Sequence, residues 1–304
     1  DRPIVLIGAG HYSINEQTPS ISEINNILIN EFVCTGTCTG VMINGFLLNA
    51  VNVAFNQGTS NIMITRCRFR GSIGVGVSAG NKPRTNWIIE GCIFQDQSII
   101  NLDRIWSRNT IIRNNLFLPG SSILNGNDPS IIISNNLFFS TLHSNTNRNA
   151  LFRSCNQITI ANNIFYQSTR LFDNCGEITL YNNYLGASPP VIPTITYVNN
   201  ISTLPNFIAY DYTSQYQIDL NGGSGNLSSF NNIKDYRQVN FFLASGSPGE
   251  NAGTDDKDIG LIEGLFNKYG TPFIPHITSF TATPIVDFGS QDPINFQIKA
   301  VNRK

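Results

Sequence analysis

The chain has 304 residues, of which only 13% are charged, and its 19 basic and 20 acidic side chains give a net charge of −1. This balance provides no basic stripe, which argues against a general surface for nucleic acids or anionic membranes. No apolar run is long enough to cross a bilayer, so we expect no membrane span.

The regular part of the sequence is a short repeat that runs from Val41 to Asn200. Each copy has two apolar residues separated by one residue, then a turn, then an apolar residue that is usually Phe. The copies recur at intervals of 17 to 27 residues, and their turn positions are Asn44, Cys67, Cys92, Asn115, Asn136, Asn163, Asn183 and Asn200. A period in this range predicts a solenoid of stacked coils.

The apolar residues alternate with period two, which indicates strands. An Asn-Asn pair follows most of them, and Asn tolerates the left-handed backbone conformation of a sharp turn. We expect inward Asn side chains to hydrogen-bond from coil to coil. The predicted ladder consists of Asn44, Asn115, Asn136, Asn163, Asn183 and Asn200. A column of stacked rings is predicted at Phe46, Phe69, Phe94, Phe117, Phe138 and Phe165.

A third short strand follows each turn, and we predict it at 73–77, 99–102, 123–124, 150–152 and 170–172. Three parallel strands per coil predict an all-β fold, a right-handed single-stranded parallel β-helix with three sheets and about eight coils. Residues 1–40 should form the first irregular coils and a cap, because a solenoid must cover its open sheet edges.

The predicted β-helix occupies residues 1–265, including the N-terminal cap and irregular last coils that form a C-terminal cap. Residues 266–304 form a C-terminal β extension with paired strands at 277–282 and 294–300. This extension either packs on the last coils or begins a further domain, since so short a segment cannot build its own core.

The repeat with its Asn-Asn turn and Phe resembles the right-handed parallel β-helix proteins of the pectate lyase-like superfamily, over roughly residues 20–205. The opening stretch from Val5 to Tyr12 and the closing stretch from Gly246 to Gly260 resemble the flanks of uncharacterised secreted bacterial members. The resemblance implies a fold and has little bearing on activity. We expect an extracellular or cell-surface protein whose signal peptide has been removed.

Six cysteines leave the redox state open. Cys67 and Cys92 occupy the ladder position of consecutive coils, and Cys155 and Cys175 match each other one coil apart. A strand spacing of about 4.8 Å suits a disulfide, but in-register side chains point the same way and oppose its torsion. We therefore favour buried free thiols. The pair that either closes a small loop or simply lies in one is Cys34 and Cys38.

Enzymes of the resembled superfamily work in a groove along one sheet, with polar residues supplied by successive coils. Aligning the repeats places one polar column just after the third strand, at Ser78, Asp103, Asn125, Arg153 and Asp173. Beside this column lie Lys82, Arg84, Arg104, Arg108 and Asp128. Any substrate groove is therefore expected near these residues.

The catalytic candidates are Lys82, Asp103, Arg104 and Arg108. In β-elimination of a uronate, a basic side chain removes the proton beside the carboxylate while a cation neutralises that carboxylate. Lys82 with Arg104 or Arg108 would supply both groups. The alternative interpretation is that these are solvated loop residues paired with Asp103 and Asp128.

The stronger motifs of the superfamily are missing from the coils. A calcium site is not indicated, because the regular coils hold few acidic residues, and no CxxC pair suggests zinc. We predict no metal and no cofactor. A polygalacturonase-like site would need an Asn-x-Asp, an Asp-Asp pair and a Gly-His-Gly in the coils, but the only Asp-Asp pair, Asp255-Asp256, lies in the closing stretch.

Candidate ligand-binding residues are Arg84, Trp106, Asp128, Arg153 and Asp173. An exposed aromatic ring is a platform for a sugar ring, although aromatic residues also cover sheet edges. We predict a non-catalytic, monomeric β-helix module that binds polysaccharide or a cell-surface glycan, or that acts as an adhesive or structural element. The alternative is a polysaccharide lyase or glycoside hydrolase that acts on an acidic polysaccharide in a groove along the coils.

Overall fold

The computed structural model of the chain describes residues 5–7, 28–29, 32–34, 38–48, 51–53, 59–75, 84–95, 98–102, 107–118, 120–139, 150–166, 171–185, 193–202, 243, 249–262, 276–282 and 296–301. These residues form strands and turns, in agreement with the predicted all-β class. The strands in chain order are β1 (Val5–Ile7), β2 (Leu28–Ile29), β3 (Phe32–Cys34), β4 (Cys38–Thr39), β5 (Met42–Asn44), β6 (Leu47–Leu48), β7 (Val51–Val53), β8 (Thr59–Thr65), β9 (Arg68–Phe69), β10 (Ile73–Val75), β11 (Arg84–Glu90), β12 (Ile93–Phe94), β13 (Ile99–Asn101), β14 (Ser107–Arg113), β15 (Leu116–Phe117), β16 (Ser122–Leu124), β17 (Ile132–Ser134), β18 (Leu137–Phe139), β19 (Phe152–Arg153), β20 (Thr159–Ala161), β21 (Ile164–Tyr166), β22 (Phe172–Asp173), β23 (Ile178–Tyr181), β24 (Tyr184–Leu185), β25 (Ile195–Val198), β26 (Ile201–Ser202), β27 (His276–Ala282) and β28 (Phe296–Val301).

Three sheets wind together into a parallel β-solenoid, as the repeat predicts. Sheet A has the order β1-β5-β8-β11-β14-β17-β20-β23-β25, with β4 also paired to β8. Sheet B has the order β2-β6-β9-β12-β15-β18-β21-β24-β26, and sheet C has the order β3-β7-β10-β13-β16-β19-β22. Among the described residues, seven coils contribute to all three sheets and two more contribute to sheets A and B, a slight difference from the predicted eight. The right-handed winding stays a prediction.

The core is a set of columns inside the solenoid, because alternate residues of each strand point inward. The inward isoleucines of sheet A, such as Ile64 and Ile89, are completely buried. Five rings in sheet B stack with centroid separations of 4.4 to 5.0 Å between neighbours, and they belong to Phe69, Phe94, Phe117, Phe138 and Phe165. Such offset stacks add to the stability that their burial provides.

The first predicted copy of the repeat was wrong by two residues. Asn44 is in register with Thr65, and Leu48 is in register with Phe69. Asn44 therefore lies outside the asparagine ladder, and Phe46 occupies the ladder position instead of the ring column. The physical reason is that the glycine before Phe46 has a φ of 79° and makes the left-handed turn itself, so the turn needs no asparagine there.

The third strand of each coil lies in sheet C, and the ends of these strands agree with the predicted segments to within two residues. Strands β27 and β28 pair in an antiparallel hairpin, which agrees with the two strands predicted beyond residue 266. The boundary between residues 265 and 266, and the way in which this extension relates to the coils, stay predictions.

The closing segment, residues 249–262, packs on the side of the coils. The amide of Gly260 donates to the carbonyl of Asn162 at 2.7 Å, and the amide of Ile262 donates to Oδ1 of Asn114 at 2.8 Å. A Cβ atom on Gly260 would lie 2.5 Å from the side chain of Ile164, so the backbone approaches the outer face of sheet B very closely. This contact explains why Ile164, although it points away from the core, is buried.

Candidate ligand-binding face

A buried amide ladder fixes the register of the coils. It consists of Asn115, Asn136, Asn163, Asn183 and Asn200. In the rung formed by Asn136, Oδ1 accepts hydrogen bonds from the backbone N–H of Asn115 at 2.9 Å and from Nδ2 of Asn115 at 3.0 Å. Nδ2 of Asn136 in turn donates to the carbonyl of Ile112 and to Oδ1 of Asn163, both at 2.9 Å. The rungs that bond to the coils on both sides are Asn115, Asn136, Asn163 and Asn183, while Asn200 bonds to the coil of Asn183.

Thiols continue the same column toward the N terminus. Sγ of Cys92 lies 3.6 Å from the carbonyl of Ile64, and Sγ of Cys67 lies 3.7 Å from that of Ile43. These carbonyls correspond to the ones that the asparagines contact. All four cysteines whose side chains are described are free thiols, as favoured from the sequence. Burial raises the pKa of the Cys92 thiol well above its usual value, which keeps it protonated.

Left-handed residues end sheet A at the same point in each coil. The first asparagine of each pair has a φ between 49° and 57°, and these residues are Asn114, Asn135, Asn162, Asn182 and Asn199. In the earlier coils, Arg66 and Gly91 take the same conformation. Because the turn recurs at one position, outward side chains of sheet A align in straight rows across the coils.

One outward row of sheet A is apolar over several coils. Met42, Met63, Ile88, Ile111 and Ile132 are in register from β5 to β17. Their neighbours in each strand point into the core, so these side chains face outward, and Ile132 is 39% exposed. Hydroxyl groups continue the row at Thr159, Thr179 and Thr196. We call this line of side chains the outer row.

Hydrogen-bonding residues border the outer row on the side where the strands begin. Three exposed asparagines with left-handed φ form a surface ladder, in which Asn86 donates to Asn61 at 3.0 Å and Asn109 donates to Asn86 at 3.2 Å. Ser60 and Thr85 precede them in register. This border offers amide and hydroxyl groups beside an apolar surface.

A mixed border lies on the opposite side of the outer row. Thr65, Glu90, Arg113 and Ser134 follow one another in register. Arg113 forms a two-pronged ion pair with Glu90, with N–O distances of 3.0 and 3.3 Å. The charges in this border are therefore neutralised within it.

Arg108 and Asp128, two predicted site residues, contact each other. Nε of Arg108 lies 3.5 Å from Oδ2 of Asp128, with the arginine side chain 57% exposed. The other carboxylate oxygen accepts a hydrogen bond from the amide of Ser130 at 2.9 Å. Arg108 is therefore paired with a carboxylate of the protein, as in the alternative interpretation from the sequence.

The predicted polar column after the third strand contains a shift of one residue. Arg153 and Asp173 are in register on sheet C, and Leu124 is the residue in register with Arg153. Asn125 therefore lies one position further on, where it is in line with Ser154. Turn lengths differ between coils, so counting residues from the ladder does not give the register of sheet C. Nε of Arg153 is buried and has no hydrogen-bond partner among the described residues.

Five residues of the predicted site and its polar column lie outside the described residues, and they are Ser78, Lys82, Asp103, Arg104 and Trp106. Arg84 is the first residue of β11, in register with Thr59 and Ser107, and the position of its side chain is likewise outside the description. The structure thus brings together Arg108 and Asp128 at sheet A and places Arg153 and Asp173 on sheet C.

The outer row was not among the residues that the sequence singled out. The signal was present in runs such as Ile131-Ile132-Ile133, in which the residue between two core positions is itself apolar. A strand that is apolar on both faces is covered by something on each side. Outward strand positions are usually polar. Apolar residues at the same outward position of several copies of the repeat would therefore have revealed this row.

The described residues hold no group of three or more His, Cys, Asp or Glu side chains that suits a metal ion. In the same part of the chain, no helix is long and apolar enough to cross a membrane. No protein-family model, no curated protein and no solved structure matches this chain.

Proposed function

We propose that this protein is a secreted or cell-surface module, related to the pectate lyase-like β-helix proteins, that binds polysaccharide along the outer row of sheet A without cleaving it. The observation that carries the proposal is an apolar row, bordered on both sides by hydrogen-bonding side chains, that crosses several coils on one face. Ile132 is exposed and the other apolar side chains of the row are partly exposed, and contiguous apolar side chains at a surface are typical of an interaction site.

The chemistry of the face suits a sugar chain. A pyranose ring has faces of C–H groups, which pack on apolar side chains, and edges of hydroxyl groups, which need donors and acceptors. Met63, Ile88 and Ile111 supply the apolar contact, and Asn86 with Thr85 supplies amide and hydroxyl groups beside it. A row that repeats at about 4.8 Å per coil suits an extended polymer with a regular repeat.

The described charges favour binding over catalysis. Arg108 is paired with Asp128, and Arg113 is paired with Glu90. A base that removes a proton needs access to the substrate, and a neutralising cation needs a carboxylate of the substrate as its partner. Ion pairs within the protein compete with both roles.

The test is affinity electrophoresis of the folded chain in gels that contain neutral or acidic polysaccharides. We expect retardation in at least one gel, and we expect Ile111→Glu to weaken binding at least about tenfold, because it places a charge in the centre of the outer row. Lys257→Glu is the matched control, since it adds the same carboxylate to the closing segment and should bind as the wild type does.

Three results would contradict the proposal. The absence of retardation in every gel would contradict the binding function. An equal loss of polysaccharide affinity in both variants would show that the outer row is not the binding site. Release of new reducing ends, or absorbance of unsaturated uronates that Lys82→Ala abolishes, would show that the protein is a hydrolase or a lyase.

A further inference from the structure

Two pairs of thiols lie on neighbouring coils, and they differ in their access to solvent. Cys67 and Cys92 are completely buried. Cys155 is also completely buried, but its partner Cys175 is partly exposed. Cys175 follows β22, the last strand in the order of sheet C. Cys175 is therefore the one cysteine of these four that solvent partly reaches in the folded coils.

Direct contact joins Cys155 to Cys175. Their register is fixed on both sides, by the pair Arg153 and Asp173 before them and by the bridge between Asn156 and Gly176 after them. The backbone N–H of Cys155 points at Sγ of Cys175 at 3.3 Å. An N–H donor directed at sulfur stabilises the thiolate, which is the form that attacks other sulfur atoms.

The electrostatics of the pair assign different properties to the two thiols. The hydrogen bond between the side chains lowers the pKa of Cys175 to about 7, against the opposing effect of its partial burial. The same hydrogen bond, together with burial, raises the pKa of Cys155 well above its usual value. At pH 7 about half of Cys175 is thus ionised, while Cys155 keeps its proton.

We propose that Cys175 and Cys155 form a dithiol couple that a low-molecular-weight disulfide oxidises. The Cys175 thiolate attacks one sulfur of the small disulfide, forms a mixed disulfide and releases one thiolate. The thiol of Cys155 then attacks Sγ of Cys175, the bond to the small thiol breaks, and that thiol leaves with the proton of Cys155. One small disulfide is reduced to two thiols, and one protein disulfide is formed.

The position of the pair allows this bond. Neighbouring strands are about 4.8 Å apart, which lies within the Cα separations of disulfides. Each cysteine directly follows a left-handed residue, Ser154 with a φ of 53° or Asn174 with a φ of 52°. The two sulfur atoms take equivalent positions, with the Sγ of each lying 3.4 Å from the carbonyl two residues before it. The bond therefore forms after one of these side chains rotates to another staggered rotamer.

The test uses the folded chain with glutathione disulfide at neutral pH, followed by acid quenching, alkylation and peptide mapping. We expect a disulfide between Cys155 and Cys175, while Cys67 and Cys92 stay reduced and become alkylated only after unfolding. Cys155→Ser should accumulate the mixed disulfide at Cys175, because the resolving thiol is missing. Cys175→Ser should leave Cys155 reduced.

A second measurement needs no variant. The rate at which iodoacetamide alkylates Cys175 in the native protein should rise with pH and reach half its maximum near pH 7, and it should exceed the rates at Cys67 and Cys92 at least about tenfold. Equal rates at all these thiols would overturn the proposal. A mixed disulfide that persists in the wild type as it does in Cys155→Ser would overturn it as well.

Discussion

The two ends of the central ladder use different chemistry for the same position. Toward the C terminus the rungs are asparagines, and a rung such as Asn136 accepts a hydrogen bond from one neighbouring coil and donates to both. Toward the N terminus the rungs are Cys92 and Cys67, whose sulfur atoms lie 3.6 and 3.7 Å from the corresponding carbonyls. Thiols are weak donors, so these two rungs contribute mainly packing.

Cys92 and Asn115 meet at the junction of the two kinds of rung. The backbone N–H of Cys92 donates to Oδ1 of Asn115 at 2.8 Å, so the last thiol rung is still held by the first amide rung. In the coil of Cys67, the backbone N–H of Cys67 meets the sulfur of Cys92 instead, which is a weaker acceptor than an amide oxygen. This position of the solenoid therefore requires burial and a turn, while hydrogen bonding along the column adds to stability without being required.

The largest expected effect comes from removing an amide rung. Asn136→Ala leaves the N–H of Asn115 and the carbonyl of Ile112 buried without their partners. Each of these two groups costs about 1–3 kcal/mol, so the free energy of unfolding should fall by about 2–6 kcal/mol in urea titrations. Asn109→Gly, in the exposed surface ladder, is the control and should cost less than about 1 kcal/mol. Equal losses of stability in Asn136→Ala and Asn109→Gly would show that burial of the amide ladder does not matter for stability.

A smaller effect is expected where the closing segment meets the turn. Asn162 and Thr254 share two hydrogen bonds of 3.0 Å. Oδ1 of Asn162 accepts one from the backbone N–H of Thr254, and Nδ2 of Asn162 donates the other to the Thr254 hydroxyl. Asn162→Gly keeps the left-handed turn and removes both bonds, which should cost about 1–3 kcal/mol.

Limited proteolysis measures this local loss. Tryptic cleavage at Lys257 in native Asn162→Gly should be several-fold faster than in the wild type, because the closing segment separates more often. Asn182→Gly changes the same turn position one coil further on, which has no hydrogen bond to the described part of the closing segment, and should leave the rate unchanged. Unchanged cleavage in Asn162→Gly would show that other contacts hold the segment.

Converting a thiol rung into an amide rung should gain stability. In Cys92→Asn, the new amide would face the carbonyls of Ile64 and Glu90, which the sulfur now contacts at 3.6 and 3.4 Å. Hydrogen bonds to these groups should raise the free energy of unfolding by about 1 kcal/mol. Cys92→Ala, the packing control, should lower it. A loss in Cys92→Asn as large as that in Cys92→Ala would mean that this coil cannot accommodate an amide.

The smallest effect is expected at the surface of the same junction. Glu90 and Arg113 belong to the coils of Cys92 and Asn115, and their ion pair joins these coils on the outside. Because the arginine side chain is 45% exposed, Arg113→Gln should cost less than about 1 kcal/mol, and the cost should shrink in high salt. A loss that salt does not change would indicate packing instead of charge.

Local patterns in the sequence were sufficient to predict the solenoid, its three sheets and most of the amide ladder. The alternation in Ile158-Thr159-Ile160 depends on the geometry of one strand, and the preference of Asn162 for a left-handed turn depends on one residue. Both are properties of a few neighbouring residues. Repetition of such patterns at a fixed period then implies stacking, because each coil can bury its apolar face only against the next.

The candidate site was less predictable. The pairing of Arg108 with Asp128 was one of two alternatives from the sequence, and the alignment of Asn125 with Arg153 was wrong by one residue. Turns of unequal length separate the sheets, so register within one sheet does not determine register in the next. The outer row was missed because its residues are ordinary strand residues, and only their alignment across coils makes a surface.

Strands, turns and the repeat period are encoded locally, because they follow from backbone sterics and the alternation of side chains. Tertiary structure alone decided that Phe46 and not Asn44 occupies the ladder position, that Asn162 holds a segment about ninety residues away, and that one thiol of four is accessible. Each of these depends on which groups meet across coils. These contacts between coils depend on tertiary packing as a whole, and the conformational propensity of single residues does not specify them.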